Sequence, residues 1–503
     1  VRLRDLIRSA YPELAGVART LPDTVVTGVV QDAARVRPGA VFVARRGARV
    51  DGHRFVADAV DAGAALVAGA RDDPPRDALR GVPYLRVPDD RAAVARLAAV
   101  VHGRPSRRTR VIGVTGTDGK TTTSALLWWL LSGASPTALA STAMTRLGPT
   151  EPATTGAFTT PEADVVQAFL AEAVDHGATH VVLESSSHGL ALRRLDEVAY
   201  ALAVWTNLSP EHLDFHGDLA TYRDAKAQLV RRAPHAILNR DDDAYAFFAA
   251  EAPASTSYGE HPSADWRLLA VSPKGGRLSL HVGAPDGAEH EARLPMVGGY
   301  NAWNAVAALA AAAHEGLDVD DAVARLATFP GVPGRMQIVQ AEPFAVIVDF
   351  AHTAPALAKA LAAAAPAGGR RIVVVGAAGE RDPGKRAPLG AAATAGADLA
   401  IFTEEDARSE DPDTILQQLA GGARAAGGQE GVTFQRIADR RDAIREAVRR
   451  ARPGDIVLLA GKGHETTLER ADGRRPWNEA EEARAALSAR AAGADAARDA
   501  SDA

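Results

Sequence analysis

Val111-Ile-Gly-Val-Thr-Gly-Thr-Asp-Gly-Lys-Thr-Thr-Thr123 carries the strongest structural signal in this chain of 503 residues. An apolar run, Val111–Val114, leads into a glycine-rich turn and then into SALLWWLL, residues 124–131, so strand, tight turn and helix follow in that order. Successive backbone N–H groups in such a turn point into one concavity, and the helix N-terminus adds a positive dipole. A polyphosphate fits there. Lys120 then reaches the β- and γ-phosphates, and Thr121 offers its hydroxyl to Mg²⁺. The strict pattern Gly-x-x-x-x-Gly-Lys-Ser/Thr is not met, because Val114 stands five positions before Gly119 and the extra glycines are Gly113 and Gly116. A coincidental glycine-rich turn is outweighed by strand, glycines, Lys-Thr and apolar helix occurring together. The stretch predicts a nucleoside triphosphate site and leaves open what happens to the γ-phosphate.

Outward from this loop the text separates into three blocks, which suits a length of 503 residues at about 150 residues per domain. Residues 1–103 hold short apolar runs (AVFV, ALV, YLRV) broken by Gly, Pro and Asp, predicting a small α/β domain that opens on an amphipathic helix, VRLRDLIRSAYPEL. Residues 104–333 alternate strand-like runs (VIGV, HVVLES, ALAVWTNL, AILN) with helical stretches, which predicts βαβ units around a parallel sheet. After the turn PGVPGRM, residues 334–487 carry four more strand signals (FAVIVDFA, RRIVVVGAAG, DLAIFTEED, GDIVLLAGKG), predicting a second, Rossmann-like α/β domain. From Ser488 the chain has no apolar face, and a disordered tail over 488–503 is expected. The first residue is Val1, for which a trimmed start or an alternative start codon is the expectation.

Composition narrows the function. A net charge of −6 argues against a nucleic-acid partner, and the densest apolar run, Leu126–Leu131, is far too short to span a membrane. With no cysteine, disulfides, thiolate nucleophiles and Cys-based metal sites are excluded, which fits the cytoplasm. Of 57 basic residues only six are lysine: Lys120, Lys226, Lys274, Lys359, Lys385 and Lys462. GC-rich coding accounts for the bias. It does not account for where the six remain, since lysine alone offers a compact ammonium or an amine open to modification.

GVTGTDGKTTT closely resembles the nucleotide loop of the Mur ligases, the ATP-dependent amide-forming enzymes of peptidoglycan precursor synthesis. The resemblance continues in order through TTP (159–161), ESSSHGL (184–190), TNLSPEHLDFHG (206–217) and YRDAK (222–226). Further along come NAWN (301–304), PGRM (333–336), DFAHT (349–353), GERDPGKR (379–386) and GKGHE (461–465). The combination is most similar to the branch that adds the third residue to UDP-N-acetylmuramoyl-L-alanyl-D-glutamate. Folylpolyglutamate synthetases share the loop but are not expected to carry GERDPGKR and GKGHE together.

The resemblance implies a three-domain α/β fold with a UDP-binding N-terminal domain, a central P-loop ATPase domain and a C-terminal amino-acid-binding domain. It also implies a chemistry: ATP converts a carboxylate to an acyl phosphate, and an amine displaces phosphate. Metal ions, lysines and helix N-termini serve that task without a protein nucleophile. Lys120, Glu184, His212 and Lys226 are the implied catalytic set. Thr121 and Glu184 would hold one Mg²⁺, with His212 and a carbamylated Lys226 near a second. For each of these an ordinary structural role stands as the alternative in isolation: a strand-end carboxylate, a helix-cap histidine, a surface lysine. ATP would be held by Gly116, Thr117, Asp118, Gly119, Lys120, Thr121 and Thr122, with Asn301, Asn304, Arg335, Asp349 and His352 at its other end. The UDP-linked dipeptide would meet Thr159, Thr160, Ser186 and Arg194. In the N-terminal block Asp32-Ala33-Ala34 replaces the family's usual Asp-Ser-Arg, leaving Arg49 and its neighbours as candidate uridine contacts.

For the incoming amine the family's Asp-Asn-Pro-Arg motif, which accompanies meso-diaminopimelate, reads Glu405-Asp406-Ala407-Arg408 here. Arg408 and Arg381 suit a distal carboxylate, and Gly461 and Glu465 complete the implied pocket. Asp406 pushes toward the ammonium of lysine or ornithine. The balance leans slightly to diaminopimelate, because Arg408 and Arg381 otherwise lack an evident anionic partner, although each could instead pair with Glu404, Glu405 or Glu410. Another Mur-type ligase and a non-catalytic P-loop NTPase remain the competing readings. A monomer is the default.

Overall fold

The structure is a computed structural model that describes residues 1–47, 50–148, 160–274, 276–365 and 368–501. The three expected α/β domains each have their own sheet, and by contact the described residues group into two compact units, the first two domains sharing one. The first contains Val1–Leu268, Gly283–Glu289 and Trp303–Arg325, and the second Leu269–Val282, His290–Ala302 and Leu326–Ala503.

In the first unit a four-stranded parallel sheet runs in chain order through Gly28–Val30, Ala40–Ala44, Leu66–Gly69 and Tyr84–Arg86. Alternation along Ala40–Ala44 explains why that run is apolar throughout. Val41 and Val43 face Leu3, Leu6, Ile7 and Leu97, whereas Phe42 packs with Val36, Val56 and Val67 on the opposite side. The first of these cores also takes in Ala163, which begins the helix Ala163–Asp175. That shared core joins the first two blocks into one unit.

The central sheet places Arg110–Thr115 between His180–Glu184 and Tyr200–Trp205, all parallel. Thr137–Ala140 extends it on one side, while Ala236–Asn239 and Ser255–Gly259 extend it on the other. Chain order reverses at Arg110–Thr115, and in open α/β sheets a crevice forms outside the carboxyl ends of the strands at such a point. The glycine-rich turn leaves this strand at that end. Apolar residues of both neighbours, Val181, Leu183, Ala203 and Trp205, pack with Val111 in the core beneath.

The second unit carries a six-stranded sheet in the order Gln337–Gln340, Ala345–Asp349, Ile456–Ala460, Arg371–Val375, Leu399–Phe402 and Phe434–Arg436, antiparallel only at its first pair. Its four inner strands are the four signals seen in the sequence, buried because helices cover both faces. The edge strands Gln337–Gln340 and Phe434–Arg436 and the hairpin Thr467–Arg470/Gly473–Pro476 are too short or too polar to read beforehand. Where a disordered tail is expected from Ser488, the chain continues as the helix Glu479–Ser501. Arg490 anchors it, donating to Val448 O and stacking 4.7 Å from the Phe344 ring centroid.

Candidate functional site

The glycine-rich turn needs its glycines for two different reasons. Gly116 has φ +148°, and a Cβ there would lie 1.8 Å from Thr206 Oγ1. Gly119 has φ +82°, and a Cβ would lie 2.3 Å from Asn304 Oδ1. Thr206 and Asn207 shape the turn from below: Asn207 Oδ1 accepts from Asp118 N (2.9 Å), Asn207 O from Thr117 N (2.9 Å), and Thr206 Oγ1 donates to Asp118 O (2.6 Å). The helix Lys120–Leu131 follows with Gly119 as an N-cap that supplies no side-chain acceptor, so its first N–H groups are offered to an anion. Lys120 Nζ lies over the turn, donating to Gly116 O (3.0 Å) and Thr117 O (2.7 Å). Thr122 is buried behind it, and Asn304 Oδ1 accepts from Thr123 Oγ1 at 3.2 Å, seating the NAWN helix on the turn. Asn301 Nδ2 is engaged by Val297 O at 2.8 Å.

Register places Glu184 opposite Val114 on the adjacent strand. Its carboxylate is 1% exposed and accepts from Thr121 Oγ1 at 3.1 Å to each oxygen and from Thr142 N at 2.9 Å. A carboxylate and a hydroxyl at the mouth of a phosphate cradle are the hard oxygen donors Mg²⁺ prefers, so these residues fit the ion. Among the described residues no group of three or more His, Asp or Glu side chains forms a closed metal cage.

Lys226 comes from the helix Leu219–Arg232 and is 1% exposed, with Nζ 2.5 Å from Gly116 O and 4.3 Å from the Tyr222 ring centroid. Burial, reinforced by the charge of Lys120, holds its amine well below the ordinary lysine range. A neutral amine is what capture of CO₂ requires, so this lysine fits the carbamate. Tyr222, absent from the sequence candidates although its Tyr-x-x-x-Lys spacing was visible, is 1% exposed, and its hydroxyl lies 3.2 Å from Thr117 Oγ1. His212 has φ +55°, a left-handed conformation costly for histidine, and burial lowers its pKa. Its ring centroid is 4.7 Å from that of His188, which burial and the neighbouring His212 and His216 lower to about 4.

On the same edge Thr160 Oγ1 lies 2.9 Å from Ser186 Oγ and accepts from Ser186 N at 3.0 Å, while Arg194 donates to Thr160 O at 3.0 Å. Glu162 gathers Arg194 (2.7 Å), Arg45 (3.3 Å) and Gln31 (3.0 Å). Thr159 and Arg49 lie outside the described residues.

In the second unit Asp349 is half-buried, accepts from Met336 N (2.8 Å) and Ala351 N (2.9 Å), and is raised in pKa by desolvation. Arg335 stacks 4.6 Å from the Phe350 ring centroid, and its buried Nε has no hydrogen-bond partner. His352 Nδ1 donates to Phe350 O at 2.9 Å.

Of the residues expected to receive the amine, Glu405, Asp406 and Arg408 follow Leu399–Phe402 and Gly461 and Glu465 follow Ile456–Ala460, whereas Arg381 follows Arg371–Val375, and their charges pair differently from expectation. Asp406 accepts from the fully buried Lys462 at 2.8 Å, and Lys462 also meets Glu465 at 2.6 Å. The negative charge expected to repel a carboxylate is therefore offset in part from within the protein, by an ammonium that Glu465 shares. Arg408 does have an anionic partner, Glu469 at 3.3 Å, and donates to Gly379 O at 2.5 Å. Glu404 pairs with Arg470 and Glu410 with Arg386, so neither serves Arg408 or Arg381. Arg381 is exposed and makes no ion pair among the described residues. Glu405 Oε2 is buried without a hydrogen-bond partner, 2.6 Å from where a Cβ on Gly461 would stand, and burial raises this carboxyl to about 7.

Three family models match along the chain: Mur ligase family, catalytic domain (residues 25–102), Mur ligase middle domain (114–312), and Mur ligase, glutamate ligase domain (334–463). A UDP-N-acetylmuramyl-tripeptide synthetase of Deinococcus radiodurans is 50% identical over 478 residues, spanning 93% of this chain and 96% of the relative. A UDP-N-acetylmuramoyl-L-alanyl-D-glutamate–2,6-diaminopimelate ligase of Streptomyces coelicolor is 40% identical over 479 residues, 94% of each chain. A solved structure of a ligase of that second name superposes with TM-score 0.66 at 28% identity, covering 97% of this chain and 99% of the other. With the phosphate cradle, the buried lysine beside it and this end-to-end likeness together, the chain belongs to the Mur ligase family.

Proposed function

We propose that the chain is a MurE-type ligase that uses ATP and Mg²⁺ to add a diamino acid to UDP-N-acetylmuramoyl-L-alanyl-D-glutamate. The dipeptide's carboxylate attacks the γ-phosphorus, ADP leaves, and the amine displaces phosphate from the acyl phosphate while giving up a proton. Thr121 and Glu184 would hold Mg²⁺, which when bound supplies positive charge to the phosphates. Lys120 and the N-terminus of its helix hold the phosphates, and Asn301, Asn304, Arg335, Asp349 and His352 serve the rest of the nucleotide. Thr159, Thr160, Ser186 and Arg194 orient the dipeptide, and His212 with a carbamylated Lys226 would hold a second ion. The working limits of the domains are 1–103 for UDP, 104–333 for ATP and 334–487 for the amine. No helix among the described residues is long and apolar enough to cross a membrane, and a cytoplasmic monomer without nucleic acid is the accompanying reading.

The observation that carries this function is Lys226, fully buried against the carbonyl of Gly116 in the phosphate turn. An NTPase that only binds and releases nucleotide has no use for it. Lys226→Ala is expected to lose ligation by at least a hundredfold and to regain part of it with a short carboxylic acid. Wild-type activity in the variant would overturn the assignment.

Among amines, meso-diaminopimelate is favoured because Lys462 offsets part of the charge of Asp406 and Arg381 makes no ion pair among the described residues, with Arg408, Gly461 and Glu465 as the other residues assigned to the amine. Mass detection of the UDP-linked product with diaminopimelate, lysine and ornithine side by side tests both levels. Product with diaminopimelate is expected; preference for lysine or ornithine refutes the amine, and no product with any refutes the ligase.

A further inference from the structure

Beneath the amine pocket lies a charge that the reaction itself does not call for. Arg440 opens the helix Arg440–Arg450 and is 0% exposed. Its guanidinium donates to Glu479 (Nη2 to Oε1, 2.6 Å; Nε to Oε2, 3.0 Å), to Glu404 O (Nη1, 3.1 Å) and to Ala460 O (Nη2, 2.7 Å). Glu479 is 1% exposed and also accepts from Trp477 Nε1 at 2.6 Å. Glu404 immediately precedes Glu405, Asp406 and Arg408, and Ala460 immediately precedes Gly461, Lys462 and Glu465. The strands that lead into these two loops are not neighbours, because Arg371–Val375 runs between them. One planar fork therefore bridges both walls of the pocket from below, a geometry that lysine, a single point donor, cannot reproduce.

We infer that Arg440, held by Glu479, is a positioning residue that sets the spacing of the two loops receiving the amine, and so acts on amine affinity rather than on phosphate chemistry. This rests on the assignment of Glu405, Asp406, Arg408, Gly461 and Glu465 as the amine pocket. Breaking a buried pair leaves an uncompensated charge, so the first variant is Arg440→Lys, which keeps the charge and loses the fork. The second is Arg440→Met with Glu479→Met, which removes both charges. The expected result for either folded variant is a KM for the amine raised about tenfold, with KM for ATP within twofold of wild type. Amide hydrogen exchange is expected to quicken together in residues 403–408 and 461–465. An unchanged amine KM and unchanged exchange in Arg440→Lys would overturn the inference. Faster exchange in both loops with no amine-dependent product even from wild type would keep the clasp and overturn the ligase reading instead.

Discussion

At the scale of single residues the site is governed by what burial does to charge. Glu405 has a folded pKa of about 7 against an ordinary 4.5, with desolvation the dominant cause. The folded state thus binds this proton more tightly than the unfolded chain. The stability it contributes is complete below about pH 4.5 and is lost as pH rises through about 7. Glu405→Gln keeps the neutral shape and should match wild type at pH 4. At pH 8 it should be more stable by an amount on the order of 3 kcal/mol, from 1.36 kcal/mol per pKa unit. Denaturant titrations at the two pH values read this directly, and equal stabilities at pH 8 would contradict it. Glu405 and Lys226 were both legible as candidates. Their ionisation was not, because desolvation is set by neighbours distant in the chain.

At the scale of elements, turns and strand ends carry the function, and backbone proximity sets their tolerance. Gly334 has φ +65°, and a Cβ on it would fall 2.1 Å from His464 N and 2.2 Å from the Gly463 carbonyl carbon. Backbone on both sides cannot yield as a side chain does. Gly334→Ala is expected to cost about 3 kcal/mol, seen as a lowered denaturation midpoint. Gly119→Ala should act differently: the Cβ meets the Asn304 side chain, so nucleotide affinity is expected to fall more than tenfold with a smaller loss of stability. Calorimetric titration with ADP separates the two effects. The order strand, turn, helix at 110–131 could be read from apolar runs and glycines, as could the four inner strands of the second sheet. The edge strands could not, since three or four residues with mixed exposure leave no period to detect.

At the scale of the whole molecule the first two sequence blocks form one unit, and Glu162 is a principal tie within it. Its carboxylate gathers Gln31 and Arg45, which follow the first two strands of the N-terminal sheet, and Arg194 from the central domain. Glu162→Ala removes the acceptor these three half-buried donors share, which should cost about 2 kcal/mol. It should also raise KM for the UDP-linked dipeptide while leaving KM for ATP unchanged, a split that steady-state kinetics detects. The sequence by itself determined the phosphate turn, the alternation that makes parallel sheets, and the ordered motifs that mark a Mur ligase, because these signals are local in the chain. Only the tertiary structure decided the pairing of Asp406 with Lys462, 56 residues away, the clasp of Arg440 on two non-adjacent strand ends, and the burial that lowers the pKa of the Lys226 amine. Charge pairing and desolvation depend on groups that folding alone brings within a few ångströms.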